Sequence, residues 1–192
     1  MRGMFELSSK RLQISIENVV ASATLDQRID LLSIMKVFRN VEYKPKQFPG
    51  LVFRLKRPKT ATLIFGSGKM VCTGAKSEKQ AKSAVKKVVR ELKNNGIIIL
   101  AKPEIMIQNI VASANLGGKI DLEMAANIMD NVMYEPEQFP GLIYRMGEPK
   151  VVMLLFASGK LVCTGAKYER MVREAVEKLH DILEEDELIY YD

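Results

Sequence analysis

Cations and hydroxyls recur beside the apolar strand runs of this chain at matched places: Arg54, Ser67, Lys69 and Lys76 early on, then Arg145, Ser158, Lys160 and Lys167. Lys and Arg attract phosphate as charges, and Ser binds it through its hydroxyl. Such a rim along an apolar strip suits a nucleic acid, with phosphates on the rim and sugars and base edges on the strip. Asn18 and Asn109 share a strand face with Val20 and Val111. In a core these amides would need protein partners, whereas on an open floor they can bond to base acceptors. Other chemistries fail on residue type. GSGK at 66–69 would be a phosphate loop only with Gly at 63 and Ser or Thr at 70, where Leu63 and Met70 stand, so it reads as a hairpin. The single histidine, His180, falls on a helix without a Ser or Cys partner motif and reads as a solvated residue. HExxH and CxxC are missing, so neither a metal nor a cofactor is expected.

The 192 residues suit one large domain or two small ones, with 47% hydrophobic residues and enough length for a core without staples. Cys72 and Cys163 read as reduced, buried thiols. Apolar runs such as Ile97 to Ala101 are far too short to span a bilayer, and the opening MRGMFEL lacks the apolar run of a signal peptide. An intracellular protein without a membrane role is expected. Charge divides unevenly: residues 1–98 hold 20 Lys and Arg against 7 Asp and Glu, and residues 99–192 hold 9 against 16, including the run Glu184-Glu185-Asp186-Glu187. A basic half with an acidic tail points to a polyanion partner on one side and a different partner on the other.

The elements that must position the rim come in two copies. Ile16 to Leu92 aligns with Ile107 to Leu183 without a gap and with about half of the positions identical. Two long copies do not make a solenoid. A linker is expected at about 94–104, between Asn94-Asn95-Gly96 and Pro103. Each copy reads as strand, helix, four strands, helix. Ile14 to Thr24 alternates, and Asp30 and Asp121 can cap helices, the first running to Asn40. Short strands follow at 41–44, 50–56, 60–66 and 69–75, with tight hairpins at Gly66-Ser67-Gly68 and Ala157-Ser158-Gly159. A long helix begins at Ser77 with Gln80 completing a capping box, and Ala81, Ala84, Val85, Val88, Val89 and Leu92 form its apolar stripe.

Hairpin-linked strands with one covered face alternate apolar and polar. These do not: Leu63 and Phe65 oppose Ile64, and Leu154 and Phe156 oppose Val151, Met153 and Leu155. Val71, Thr73, Val162 and Thr164 oppose Met70, Cys72, Leu161 and Cys163. Two helices per copy can cover one face of a five-stranded sheet, which leaves an apolar face over. Patterning alone serves a sheet-on-sheet sandwich as well as a ligand groove. The charged rim favours the groove, because a sandwich core gains nothing from it.

On these residues the sequence resembles the TATA-box-binding protein family over nearly the whole chain. The marks are the duplication, QNIVAS (Gln108 to Ser113) with ENVVAS (Glu17 to Ser22), EQFPGLIYR (Glu137 to Arg145) with KQFPGLVFR (Lys46 to Arg54), and F-x-SGK-x-V-x-TGAK, read in both copies. The resemblance implies an α+β fold, a pseudo-twofold saddle of two repeats (1–98, and 99–192 with a short acidic tail). A ten-stranded antiparallel sheet would carry four helices on its convex face and double-stranded, A·T-rich DNA on the other, bound through the minor groove and bent. Phe48 with Phe65, and Phe139 with Phe156, match the intercalating pairs. Asn18, Asn109, Thr73 and Thr164 match the base-edge hydrogen bonders, and Val20, Val71, Leu63, Val111, Val162 and Leu154 the apolar floor. The eight rim residues match phosphate contacts. Such a floor accepts A·T pairs and resists the exocyclic amine of guanine.

The resemblance further implies a general initiation factor that is not an enzyme and that nucleates assembly with transcription factor B and, indirectly, RNA polymerase. YKPKQFPG of the first copy becomes YEPEQFPG in the second, exchanging Lys44 and Lys46 for Glu135 and Glu137. The two glutamates are therefore the expected dock for transcription factor B. The short N-terminus and acidic tail resemble archaeal members, which implies a cytoplasmic place beside the chromosome. A homodimer in the absence of DNA is a further expectation. Two other readings stand beside this one: a saddle domain serving a DNA-repair or RNA-processing enzyme, and a structural protein that dimerises through the bare face.

Overall fold

The computed structural model describes residues 12–192; the reading of MRGMFEL and the start of the first repeat lie outside the described residues. The elements run β1 (Gln13–Thr24), α1 (Leu31–Val37), β2 (Val41–Glu42), β3 (Leu51–Lys56), β4 (Lys59–Ile64), β5 (Lys69–Ala75) and α2 (Glu78–Asn94). The second half runs β6 (Glu104–Asn115), β7 (Lys119–Ile120), α3 (Leu122–Ile128), β8 (Val132–Met133), β9 (Leu142–Met146), β10 (Val151–Leu155), β11 (Lys160–Ala166), α4 (Glu169–Glu185) and β12 (Ile189–Tyr190), which is the expected strand, helix, four strands, helix with the two short strands β7 and β12 added. Ten strands form one antiparallel sheet in the order β2-β3-β4-β5-β1-β6-β11-β10-β9-β8, and β12 pairs with β7 in a separate ribbon. Two compact units result, one of residues 18–109 and one of residues 110–192 with the described residues up to Glu17.

In the unit 18–109 the strands bury one face. Val19, Ala21, Ala23, Leu51, Phe53, Ile64, Met70 and Cys72 are all buried, as are the six stripe positions of α2, which packs on β3, β4 and β5. Ser77 caps α2 by accepting from the Gln80 N–H at 2.9 Å, and Gln80 Oε1 accepts from the Lys76 N–H at 2.7 Å. The Ser77 cap is the one expected from the sequence, while the return bond of Gln80 reaches the N–H one residue before the cap instead of that of Ser77 itself. After α2 the chain turns at Gly96, and the Gln27 amide bonds Ile98 O and the Leu100 N–H, both at 2.9 Å.

The other unit repeats the plan, with Ile110, Ala112, Ala114, Leu142, Met153, Leu155, Leu161 and Cys163 buried on the face that α4 covers with Val172, Val176, Leu179 and Leu183. The sequence reading needs two corrections: α1 ends at Val37 and not at Asn40, because Phe38 already has extended backbone, and the lone histidine is placed differently. His180 is not solvated: it is 2% exposed, with Nε2 2.8 Å from Tyr191 Oη and 3.2 Å from Glu184 Oε1. Helical spacing put it beside the apolar stripe, and the segment folded back after α4 covers it. The acidic run ends α4, and Leu188 and Ile189 beyond it are buried, with Ile189 opposite Ile120 in the β7–β12 ribbon.

Both tight hairpins depend on glycine. Gly68 has φ +91°, and a Cβ there would lie 2.1 Å from Gln27 O; at Gly159 (φ +87°) it would lie 1.9 Å from Gly118 O. Only glycine fits a left-handed residue so close to another backbone. Among the described residues no helix is long and apolar enough to cross a membrane.

Candidate nucleic-acid interface

The face away from the helices stays half-exposed in each unit, so no second sheet covers it and the sandwich alternative is not realised. Its rows follow from strand register. In the unit 18–109, Ser22, Val71, Leu63 and Val52 stand side by side across β1, β5, β4 and β3, and the next row places Thr73, Ala61 and Arg54 together. In the other unit the rows are Ser113, Val162, Leu154 and Ile143, then Thr164, Val152 and Arg145. Val52, Ala61, Ile143 and Val152 belong to these floors without having been picked out from the sequence. The signal for them was the register, which strand periodicity alone does not supply.

A β-bulge shapes the centre of each floor. Between Val19 and Ala21 the β1–β5 register shifts, with Gly74 at φ +98° on the longer side; Gly165, at φ +97°, marks the same shift between β6 and β11. The extra residue reverses the alternation, so Ala75 and Ala166 turn inward while Lys76 and Lys167 stay exposed. The bulge also exposes the Gly74 N–H, which donates to Asn18 Oδ1 at 2.7 Å, while Asn18 Nδ2 donates to Thr73 Oγ1 at 3.1 Å. Asn18 and Thr73 are thereby one hydrogen-bonded unit beside Val20. Asn109 lies half-buried on β6 in this same unit, and Thr164 is half-buried in the other.

At the outer end of each floor two phenylalanines meet edge to face. The rings of Phe48 and Phe65 have centroids 5.8 Å apart at 69°, and those of Phe139 and Phe156 are 5.9 Å apart at 72°. Phe48 is 43% exposed and Phe139 39%, unusual for a residue type that normally fills cores. A helical turn carries each: the Phe48 N–H bonds Lys44 O and the Phe139 N–H bonds Glu135 O, both at 3.0 Å. The glycine of each FPG makes room, since a Cβ on Gly50 would lie 2.7 Å from Phe48 and 3.1 Å from Phe65, and on Gly141 2.6 Å from Phe139 and 3.1 Å from Phe156.

Ser67, Lys69, Ser158 and Lys160 lie exposed at the tight hairpins next to these rings, and Arg54 and Arg145 are exposed on β3 and β9. Phe156, Ser158, Lys160 and Val162 line an open groove of about 650 Å³ together with Ile14 and Ser113. Glu135 and Glu137 are exposed on the loop before Phe139. The two Arg residues differ in their surroundings. Glu42 holds Arg54 at 3.4 Å and Lys44 at 3.4 Å, and these two cations keep its carboxyl below the usual range. Cys72 and Cys163 are free and buried on the helix side; burial raises both thiols, Cys163 to about 11. Among the described residues no cluster of His, Cys, Asp and Glu could hold a metal ion.

Against known proteins, the family model described as "Transcription factor TFIID (or TATA-binding protein, TBP)" matches residues 13–95 and again 104–185. The TATA-box-binding protein of Pyrodictium occultum is 59% identical over 169 residues, covering 88% of this chain and 85% of that protein. The TATA-box-binding protein of Methanothermobacter thermautotrophicus is 54% identical over 178 residues, 93% and 98% of the two chains. A solved structure of Methanococcus jannaschii TBP superposes with a TM-score of 0.82 at 50% identity, over 90% of this chain and 99% of that one. With two matches of the family model, relatives this similar along most of the chain, and a ten-stranded sheet with four helices among the described residues, this chain belongs to the TATA-binding protein family.

Proposed function

We propose that this chain is a transcription initiation factor that binds an A·T-rich promoter element through the DNA minor groove and works without catalysis. Its functional halves are the repeats 1–98 and 99–192. The observation that carries the reading is the pairing, in each repeat, of a half-exposed apolar floor with an edge-to-face Phe pair at its outer end. Val20, Val71 and Leu63, with Val111, Val162 and Leu154, form a surface that an A·T minor groove fits and a guanine amine does not. Asn18, Thr73, Asn109 and Thr164 bond to base acceptors. Phe48 with Phe65 and Phe139 with Phe156 wedge into base steps and bend the duplex. Arg54, Ser67, Lys69, Lys76 and their counterparts Arg145, Ser158, Lys160 and Lys167 hold the phosphates.

The bent complex then recruits transcription factor B at Glu135 and Glu137, and RNA polymerase through it. Free of DNA, the same apolar floors are what a second copy would cover, and sedimentation at rising concentration tests that. The test of the DNA reading replaces A·T by I·C pairs, which keeps the minor-groove surface and changes the major groove. Binding should largely survive, and its loss would refute the minor-groove assignment.

A further inference from the structure

We infer that Glu42 competes internally with DNA phosphate for Arg54 and Lys44, weakening the grip of the first repeat's outer strands relative to the second's. This rests on the minor-groove reading above. Glu42 stands directly opposite Val52 on the β2–β3 ladder, so its side chain shares the floor-side face with Val52 and Arg54. Its two oxygens divide the work: Oε2 lies 3.4 Å from Arg54 Nη1 and Oε1 3.4 Å from Lys44 Nζ. The three side chains are 48 to 62% exposed, so the cluster is open to a phosphate. Carboxylate and phosphate oxygens ask for the same guanidinium donors, and either one can be displaced by the other.

The second repeat lacks this device. Met133 stands opposite Ile143 as Glu42 stands opposite Val52, and Arg145 makes no ion pair among the described residues. A phosphate approaching Arg145 meets an unclaimed cation, and one approaching Arg54 must first evict Glu42. A cation still shared with Glu42 neutralises a phosphate less completely and so releases fewer of the counterions condensed on the DNA, and the salt dependence of binding understates the number of rim charges.

The experiment measures affinity for an A·T-rich duplex by fluorescence anisotropy over a salt series, on the full chain. Glu42→Gln should bind about two- to fivefold tighter at low salt, the scale of an exposed ion pair, with a salt slope steeper by up to about one charge. In a background carrying Arg54→Ala and Lys44→Ala the same substitution should lose its effect. Met133→Glu should do the reverse, weakening binding and flattening the slope. The inference is overturned if Glu42→Gln leaves affinity and slope unchanged, if it weakens binding, or if its gain persists without the two cations. A parent protein that does not prefer A·T-rich over G·C-rich duplex defeats the minor-groove reading itself. Selective parental binding with an unresponsive Glu42→Gln defeats only the competition.

Discussion

Asn18 and Thr73, 55 residues apart in sequence, share a hydrogen bond of 3.1 Å on the open face of the sheet, and the carboxamide oxygen of Asn18 takes the bulge N–H of Gly74 at 2.7 Å. One side chain therefore satisfies the irregular backbone and presents the floor's polar group. Asn18→Asp keeps the acceptor for Gly74, loses the donor to Thr73 and puts a negative charge on the floor. It should fold with a melting temperature within a few degrees of the parent and lose at least about tenfold in affinity for A·T-rich duplex. Asn18→Ala should cost stability as well, about 1–3 kcal/mol, because the Gly74 N–H loses its partner. Thermal denaturation beside anisotropy separates the two effects.

The ring seats give a second expectation. A methyl group on Gly141 would fall 2.6 Å from the Phe139 ring, which is exposed and can swing away. Gly141→Ala should therefore cost less than about 1 kcal/mol of stability and still displace the ring, reducing the DNA bend reported by fluorescence transfer between duplex ends. Phe139→Ala with Phe156→Ala should reduce it further, while initial electrostatic association persists. An unchanged bend in the double variant would return these rings to a packing role.

Charge at the two equivalent loops sets direction under the proposed function. Lys44 and Lys46 precede Phe48 where Glu135 and Glu137 precede Phe139, on helical turns with the same backbone hydrogen bonds. Reversing both glutamates to Lys should leave DNA affinity equal or slightly higher and cripple formation of the ternary complex with transcription factor B. A ternary complex that forms on the variant as readily as on the parent would refute the docking role.

Alkaline stability follows from Cys163. Burial raises its thiol from an ordinary 9.0 to about 11, so the native state keeps a proton that the unfolded chain has already lost. This contribution is complete below about pH 9 and is lost as pH rises through about 11, amounting to at most about 3 kcal/mol. Between those limits the stability of Cys163→Ala, measured by denaturant titration, should fall less steeply than the parent's, even though the variant starts lower from its cavity. Parallel curves would refute the assignment. Below pH 9, thiol reagents should label neither cysteine of the folded protein at an appreciable rate.

The chain's own order of residues determined the duplication, the elements and the face each strand buries. Those properties are local: an alternating strand such as β1, an N-cap at Ser77, or a Gly at a tight hairpin is dictated by neighbours a few positions away. The spare apolar face with its rim was legible for the same reason. What only the tertiary structure decided depends on partners distant in sequence. The bulge at Gly74 joins Asn18 to Thr73, the folded-back segment buries His180 under Tyr191, and Glu42 reaches Arg54 through strand pairing. No periodicity encodes such contacts, because register and chain return are settled by the packing of the whole unit, and the energy that selects them is spread over many buried side chains.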